Sequence, residues 1–262
     1  LIKGIQEMSR ISEAISDLHK MDMEAEKNGW LQGIHPLPKL LVTILFILLT
    51  VSFGKYDLSG LLKMGVYLII TYVLGDISIK QLLKRMKLVL AFVCLIGIWN
   101  PFFDREILFS LGNLSVTGGM ISMVTLMVKG VYAVSASYLL MVTTSMEDLC
   151  YALRKIGVPK TFVTILMLVY RYIIVLLKEI ERMMDGYMLR APKQKGLHYK
   201  VWGTMIGQLL LRSMDRAQTV YDSMMLRGYN GEFHLRCKRA ARRLDYLYTV
   251  GWSAALLIVR IW

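Results

Sequence analysis

Acidic residues are scarce in this sequence: Asp and Glu number 19 against 32 Lys and Arg, a net charge of +13 at pH 7. In a soluble protein that surplus would point to nucleic acid. Here the basic residues sit between apolar runs, the pattern of cytoplasmic loops in a membrane protein, so no nucleic-acid partner is expected. Cysteine is scarcer still. Cys94, Cys150 and Cys237 are far apart and form no CxxC pair, which excludes a disulfide framework and a cysteine-based zinc site and leaves them as packing residues. The four histidines, His19, His35, His198 and His234, are scattered and read as polar surface residues, so neither a metal nor a cofactor is expected. No Walker A glycine run, GxGxxG, HExxH or GxSxG occurs. The chain therefore has no known phosphate-cradling loop and no familiar hydrolytic arrangement, and no catalytic residue is expected. The stretch from Leu1 to His35 is polar and mixed in charge, without the charged-then-apolar order of a secretory signal.

Apolar residues are what the sequence has in abundance: 55% are hydrophobic and the mean hydropathy is +0.48, more than a soluble core of this size usually hides. A bilayer core takes roughly 20 mostly apolar residues per helix, fewer when flanking Lys or Arg snorkel. Five segments meet that test: Leu37 to Phe53, Leu58 to Gly75, Leu88 to Phe103, Met120 to Val142, and Leu244 to the end. Two carry a lysine. Lys63 is expected to snorkel, whereas Lys129, nearer mid-span, is expected to face a partner. The loop Asp76 to Lys87 holds Lys80, Lys84, Arg85 and Lys87, so the positive-inside rule puts it in the cytoplasm with the N-terminal arm. A sixth apolar stretch, Phe162 to Leu177, is interrupted by Arg171. Between Thr143 and Arg243 there are 18 basic and 8 acidic residues, and 14 of the basic ones follow Leu177. A crossing at Phe162 to Leu177 would put all 14 outside, so this stretch is read as a cytoplasmic helix.

The expected fold is thus an all-α integral membrane protein with about five transmembrane helices and a cytoplasmic insert. Its expected divisions are a cytoplasmic arm over 1–35, four spans over 36–142, the insert over 143–243 and a last span over 244–262. Within the insert, Gly157, Val158 and Pro159 open a helix that runs to Ala191 before Pro192 and Gly196 stop it. A second helix begins near Leu197, shows Trp202, Met205, Ile206, Leu209 and Leu210 at helical spacing, and ends at Gly228. Both exceed about 30 residues, long for a globular domain, and long helices with wide apolar faces need something to lie against.

Each of these helices closes on the same pattern. Asp185-Gly-Tyr-Met188-Leu189-Arg190-Ala191 and Asp222-Ser-Met-Met225-Leu226-Arg227-Gly228 match at Asp, Met, Leu and Arg, with a small residue following. Taken singly, an arginine at a helix C-terminus complements the macrodipole. Recurrence within a seven-residue pattern points further, to two helix tips presenting Arg beside a small residue and docking into acidic grooves on a second protein.

The combination of Leu153-Arg154-Lys-Ile-Gly157-Val-Pro159, Tyr170-Arg171-Tyr172, Glu179, Gly207-Gln208-Leu-Leu-Leu-Arg212-Ser213 and Leu226-Arg227-Gly228-Tyr resembles the transmembrane (T) component of energy-coupling factor transporters. The cobalt-type CbiQ family is the most similar. Asn100-Pro101-Phe-Phe-Asp104-Arg105 in the outer loop adds to that likeness, which covers roughly Pro36 to Gly231; Asp104, Arg105 and Glu106 otherwise read as a solvated loop. The family's signature is an Ala-Arg-small triplet at the end of each of two crossed coupling helices, and here Leu189 and Leu226 stand where Ala is typical. The resemblance implies a prokaryotic cell-membrane protein that is not itself an enzyme. Its implied partners are two ATP-binding cassette ATPase subunits, gripped at Leu189-Arg190-Ala191 and Leu226-Arg227-Gly228, and a substrate-binding membrane subunit against the coupling helices. The insert is rich in Met, including Met183, Met184, Met205, Met214 and Met224, which suits either ordinary packing or a face that repacks against a sliding partner. Cobalt or nickel uptake is the implied activity, with a vitamin-type T component as the alternative. Two other classes fit less well. An intramembrane enzyme would need carboxylate partners for Lys63 and Lys129 within the spans, and a self-sufficient channel or secondary transporter would show inverted repeats between them.

Overall fold

The computed structural model of the protein describes residues 16, 23, 29–55, 57–75, 79–97, 107–111, 114–191, 199–231, 233 and 243–261. The chain divides into two units, one containing Cys150–Arg236 and the other Glu24–Leu149 with Cys237–Trp262. Among the described residues the fold is helical except for one hairpin, as expected of an all-α membrane protein.

The Glu24–Leu149 unit is a helix bundle. A single turn, α1 (Trp30–Gly33), precedes α2 (Pro36–Ser52), α3 (Leu58–Gly75) and α4 (Ile79–Gly97); then come α5 (Gly118–Thr143) and, from the chain's end, α9 (Arg243–Ile261). Between α4 and α5 lies the addition the helical pattern did not announce, an antiparallel pair β1 (Ile107–Leu111) and β2 (Leu114–Thr117), with Phe109 opposite Val116 and Leu111 opposite Leu114. Ile, Phe, Val and Thr in these runs, either side of Gly112 and Asn113, suit such a hairpin.

The bundle core is aromatic. Phe46 stacks on Tyr67 at 4.9 Å between ring centroids, and Tyr67 meets Trp252 edge-on at 4.7 Å. Gly65 allows the close approach, since a Cβ there would lie 2.4 Å from the Tyr132 hydroxyl. Thr43, Thr50, Thr71, Thr125 and Thr143 each donate to a carbonyl four residues back at 2.7 to 2.8 Å, so none brings an unmade hydrogen bond inside. The outer faces carry exposed Leu48, Ile69, Val73, Phe92, Val250 and Ile258, as lipid demands.

Charges in this unit are satisfied from within. Lys39, 4% exposed in the first turn of α2, donates to the Thr143 carbonyl at 2.8 Å and the Gln32 carbonyl at 3.4 Å. Asp245, equally buried, accepts from the His35 amide at 3.2 Å. Lys129, for which a partner is the expectation, donates within the chain, to the Phe53 carbonyl at 2.6 Å and the Val51 carbonyl at 3.2 Å, and Arg260 donates to the Ser52 carbonyl at 3.0 Å. Two cations therefore converge on the carbonyl end of α2, where the macrodipole favours them. Lys63 is exposed on α3.

By length and composition α3, α5, α7 (Lys160–Arg190) and α9 can cross a bilayer, and α2 is a shorter apolar helix of 17 residues. The expected span Leu88 to Phe103 is represented by α4, which starts earlier, inside the basic run; residues 98–103 lie outside the described residues. α7 contains Phe162 to Leu177, the stretch read from loop charge as a cytoplasmic helix, and is itself long and apolar enough to cross. His19, His198, His234, Cys237, Pro192, Gly196, Asn100, Pro101 and the Asp104, Arg105, Glu106 cluster also lie outside the described residues.

Candidate functional site at the tips of two long helices

The Cys150–Arg236 unit consists of most of α6 (Met146–Ile156), α7 and α8 (Tyr199–Leu226). Glycine sets two of its helix ends. At the end of α6, Gly157 adopts φ +105, with Val158 N–H bonded to the Leu153 carbonyl at 3.2 Å. At the end of α8, Gly228 adopts φ +79, Tyr229 N–H bonds to the Met224 carbonyl and Gly228 N–H to the Met225 carbonyl, both at 3.0 Å. This is a Schellman closure, and it makes Arg227 the capping residue. Pro159 stands immediately before α7, at its N-cap. The end of α7 is built differently. Ala191 has φ −130, and its N–H bonds to the Tyr187 carbonyl at 3.0 Å, so Arg190 stays in the last helical turn.

Both tips project their signature side chains outward. Leu189 is 82% and Leu226 89% exposed, and Arg190 and Arg227 are exposed beside them. Among the described residues neither arginine makes an ion pair or a side-chain hydrogen bond. Of the supporting positions, Asp185 is exposed, Met188 half-buried and Met225 exposed, while Asp222 accepts from Gln218 at 3.0 Å and so steadies the last turns of α8.

The two helices meet at an ion pair between Glu179 and Arg212, with Arg182 also 3.7 Å from Glu179. Upstream residues of α7, Leu168 to Tyr172, share a groove with the end of α8, while Val175 to Glu179 share another with residues from Arg212 to Val220. The helices therefore run in opposite directions where they touch. At 1.5 Å per residue, Arg190 lies about 16 Å beyond Glu179 and Arg227 about 22 Å beyond Arg212, on opposite sides of the contact. The structure thus brings Glu179 and Arg212 together and keeps the two tips apart.

The groove at the α8 tip encloses about 460 Å³ and is lined by Arg171, Tyr172, Ser223, Arg227, Tyr229 and Phe233 among others. Its far wall is steadied by Arg154, which donates to the Phe233 carbonyl at 2.7 Å, and by the Tyr229 and Phe233 rings, 5.3 Å apart. From the sequence Arg171 is an interruption of an apolar run; its place beside Arg227 has no local signal. Along the free sides, Phe162, Ile165, Val169 and Ile173 form an exposed stripe on α7, and Trp202, Ile206, Leu210 and Met214 another on α8. No group of three His, Cys, Asp or Glu side chains able to hold a metal gathers among the described residues.

The profile of the CbiQ family, described as cobalt transport protein, matches residues 27–236. An uncharacterised protein of Methanocaldococcus jannaschii is 29% identical over 215 residues, 78% of this chain and 73% of its own length. The energy-coupling factor transporter transmembrane protein EcfT of Leuconostoc gelidum is 21% identical across 90% of this chain and 94% of its own. Nickel permease LarQ of Lactiplantibacillus plantarum is 28% identical over 105 residues, 40% of this chain and 38% of its own.

Proposed function

The chain belongs to the CbiQ family, as a multi-pass transmembrane component of an energy-coupling factor transporter, and from that premise we propose that it couples ATP hydrolysis in two partner ATPases to uptake of cobalt or nickel ions. Each ATPase grips one tip, through Leu189-Arg190-Ala191 or Leu226-Arg227-Gly228, and the long helices carry the movement to a substrate-binding membrane subunit. The observation that carries this reading is the pair of exposed Leu-Arg ends whose arginines have no side-chain partner among the described residues, on opposite sides of one helix contact. A guanidinium makes several directed bonds to carboxylates and carbonyls, and the neighbouring Ala or Gly lets another backbone approach. The choice of metal is supported by the family's description and by the name of the nickel permease relative. A T component serving a vitamin-binding subunit is the second reading, drawn from the likeness to EcfT.

The same reading puts α7 and α8 on the cytoplasmic side together with the N-terminal arm. Although α7 is apolar enough to cross a bilayer, its residues from Leu168 to Glu179 lie against the stretch of α8 that carries Arg212, Asp215, Arg216, Asp222 and Arg227. Immersing α7 would immerse those charges, at about 2.5–3.5 kcal/mol for each unpaired one at mid-bilayer. In a cysteine-free background, Gly203→Cys, on an exposed site of α8 with open space around it, should resist impermeant thiol reagents applied to intact cells. Ready labelling would sink the cytoplasmic placement.

Replacing both Arg190 and Arg227 by Ala tests the docking itself. Each loss should weaken ATPase association by about 2–5 kcal/mol. Together they should abolish uptake of radiolabelled cobalt or nickel while membrane insertion persists. Co-purification at wild-type yield with normal uptake would remove the proposal.

A further inference from the structure

The two grooves along the α7 and α8 contact differ in charge balance. The one at the crossing contains its own acids, Glu179 and Asp215, facing Arg212 and Arg216. The one at the α8 tip contains Arg171 and Arg227 and, among the described residues, no Asp or Glu. Both of its arginines are exposed, and among the described residues neither makes an ion pair or a side-chain hydrogen bond. Two like charges facing one cleft repel each other, and no acid among the described residues lines it to relieve them. Ser223 and Asn230 add neutral hydrogen-bonding groups to the same lining, and Tyr172, Tyr229 and Phe233 give it aromatic walls.

We infer that Arg171 is a second docking arginine, and that the α8 tip receives an acidic side chain of the partner ATPase in a notch between Arg171 and Arg227. The inference rests on the docking role proposed for the tips and adds an asymmetry to it. The α7 tip offers Arg190 with no second arginine beside it among the described residues, whereas the α8 tip offers a walled cleft with two guanidinium groups supplied by two different helices. A carboxylate is the fitting occupant because it accepts directed bonds from guanidinium groups, and among the described residues the lining holds no acid of its own. The ATPase is the fitting source because Arg227 belongs both to the notch and to the exposed tip, so the same partner surface reaches both.

The test uses the full chain, immobilised in nanodiscs, with retention of its ATPase subunits measured against ATPase and salt concentration. Arg171→Gln should lower apparent affinity about ten-fold, the scale of one charge-assisted contact, and flatten its salt dependence. Arg171→Lys should fall between, keeping the charge without the fork. Arg171→Gln should add little to Arg227→Ala, because both empty one notch, yet multiply fully with Arg190→Ala. Arg216→Gln, which removes the same charge from the neighbouring groove, should leave retention at wild-type level, as should the insertion and thermal stability of the Arg171 variants. Wild-type retention by Arg171→Gln, or full multiplication with Arg227→Ala, overturns the notch and leaves tip docking standing. Unchanged ATPase retention with lost binding to phosphatidylglycerol vesicles would assign the notch to a lipid phosphate and overturn it equally. Full retention by the Arg190→Ala, Arg227→Ala pair would sink the docking reading and the notch together.

Discussion

In the bundle unit, the cations that turn inward end on carbonyls of the same chain; in the long-helix unit, the arginines at the ends of α7 and α8 do not, among the described residues. Lys39 caps Thr143, while Lys129 and Arg260 cap the end of α2. Arg190, Arg227 and Arg171 have no such partner among the described residues. The apolar residues divide in the same way. Phe46, Leu61 and Met64 are sealed inside the bundle, whereas Leu189 and Leu226 stand almost fully exposed at the tips. A group satisfied within the chain is there for the fold, and its loss is felt as instability. An exposed Leu-Arg pair at a helix end does little for the fold. Its loss is felt where something docks.

That contrast can be broken most directly at the largest effect. The Arg190→Ala, Arg227→Ala pair should cost most of the ATPase affinity and leave the melting temperature of the purified chain where it was; a drop in melting temperature without loss of association would reverse the assignment. Next in size is the converse experiment. Lys39→Met leaves the buried Thr143 carbonyl without its charged donor and should destabilise the bundle by about 3 kcal/mol, seen as earlier thermal unfolding in detergent. The folded fraction should still retain its ATPases, and a variant as stable as the wild type would show that Lys39 does not hold the bundle. Smaller again, Leu226→Ser should weaken ATPase retention by about 1.5 kcal/mol if that side chain is buried on docking. With the residue 89% exposed in the free chain, no change in stability is expected. Unaltered retention would mean that the tip docks through its arginine alone and that the Leu in place of the family's Ala is neutral.

Several features were legible residue by residue. The apolar runs from Leu37, Leu58 and Met120 became helices close to their expected limits. Gly157 and Gly228 end helices because their backbone conformation excludes most side chains, a property visible in one residue. The second long helix starts at Tyr199 and ends at Leu226, slightly inside the expected limits. The hairpin between α4 and α5 was missed because two short strands give a far weaker periodic signal than a span. Lys39 was missed for a different reason. A lysine at the edge of an apolar run looks like a snorkelling flank, and its burial depends on a carbonyl 104 positions away.

By itself the sequence determined that the chain is a membrane protein, that most of its basic residues fall between Thr143 and Arg243, and that two helices there end on the same Leu-Arg motif. Those properties depend on composition and on neighbours within a few turns, which any reading of the chain preserves. Only the tertiary structure decided which charges are spent inside the fold and which are left over. The antiparallel packing of α7 and α8, with Glu179 paired to Arg212, separates the tips and brings Arg171 and Arg227 into one cleft that holds no acid among the described residues. Electrostatic satisfaction is a matter of distance in space, and residues 171 and 227 become neighbours only when two helices far apart in sequence pack together.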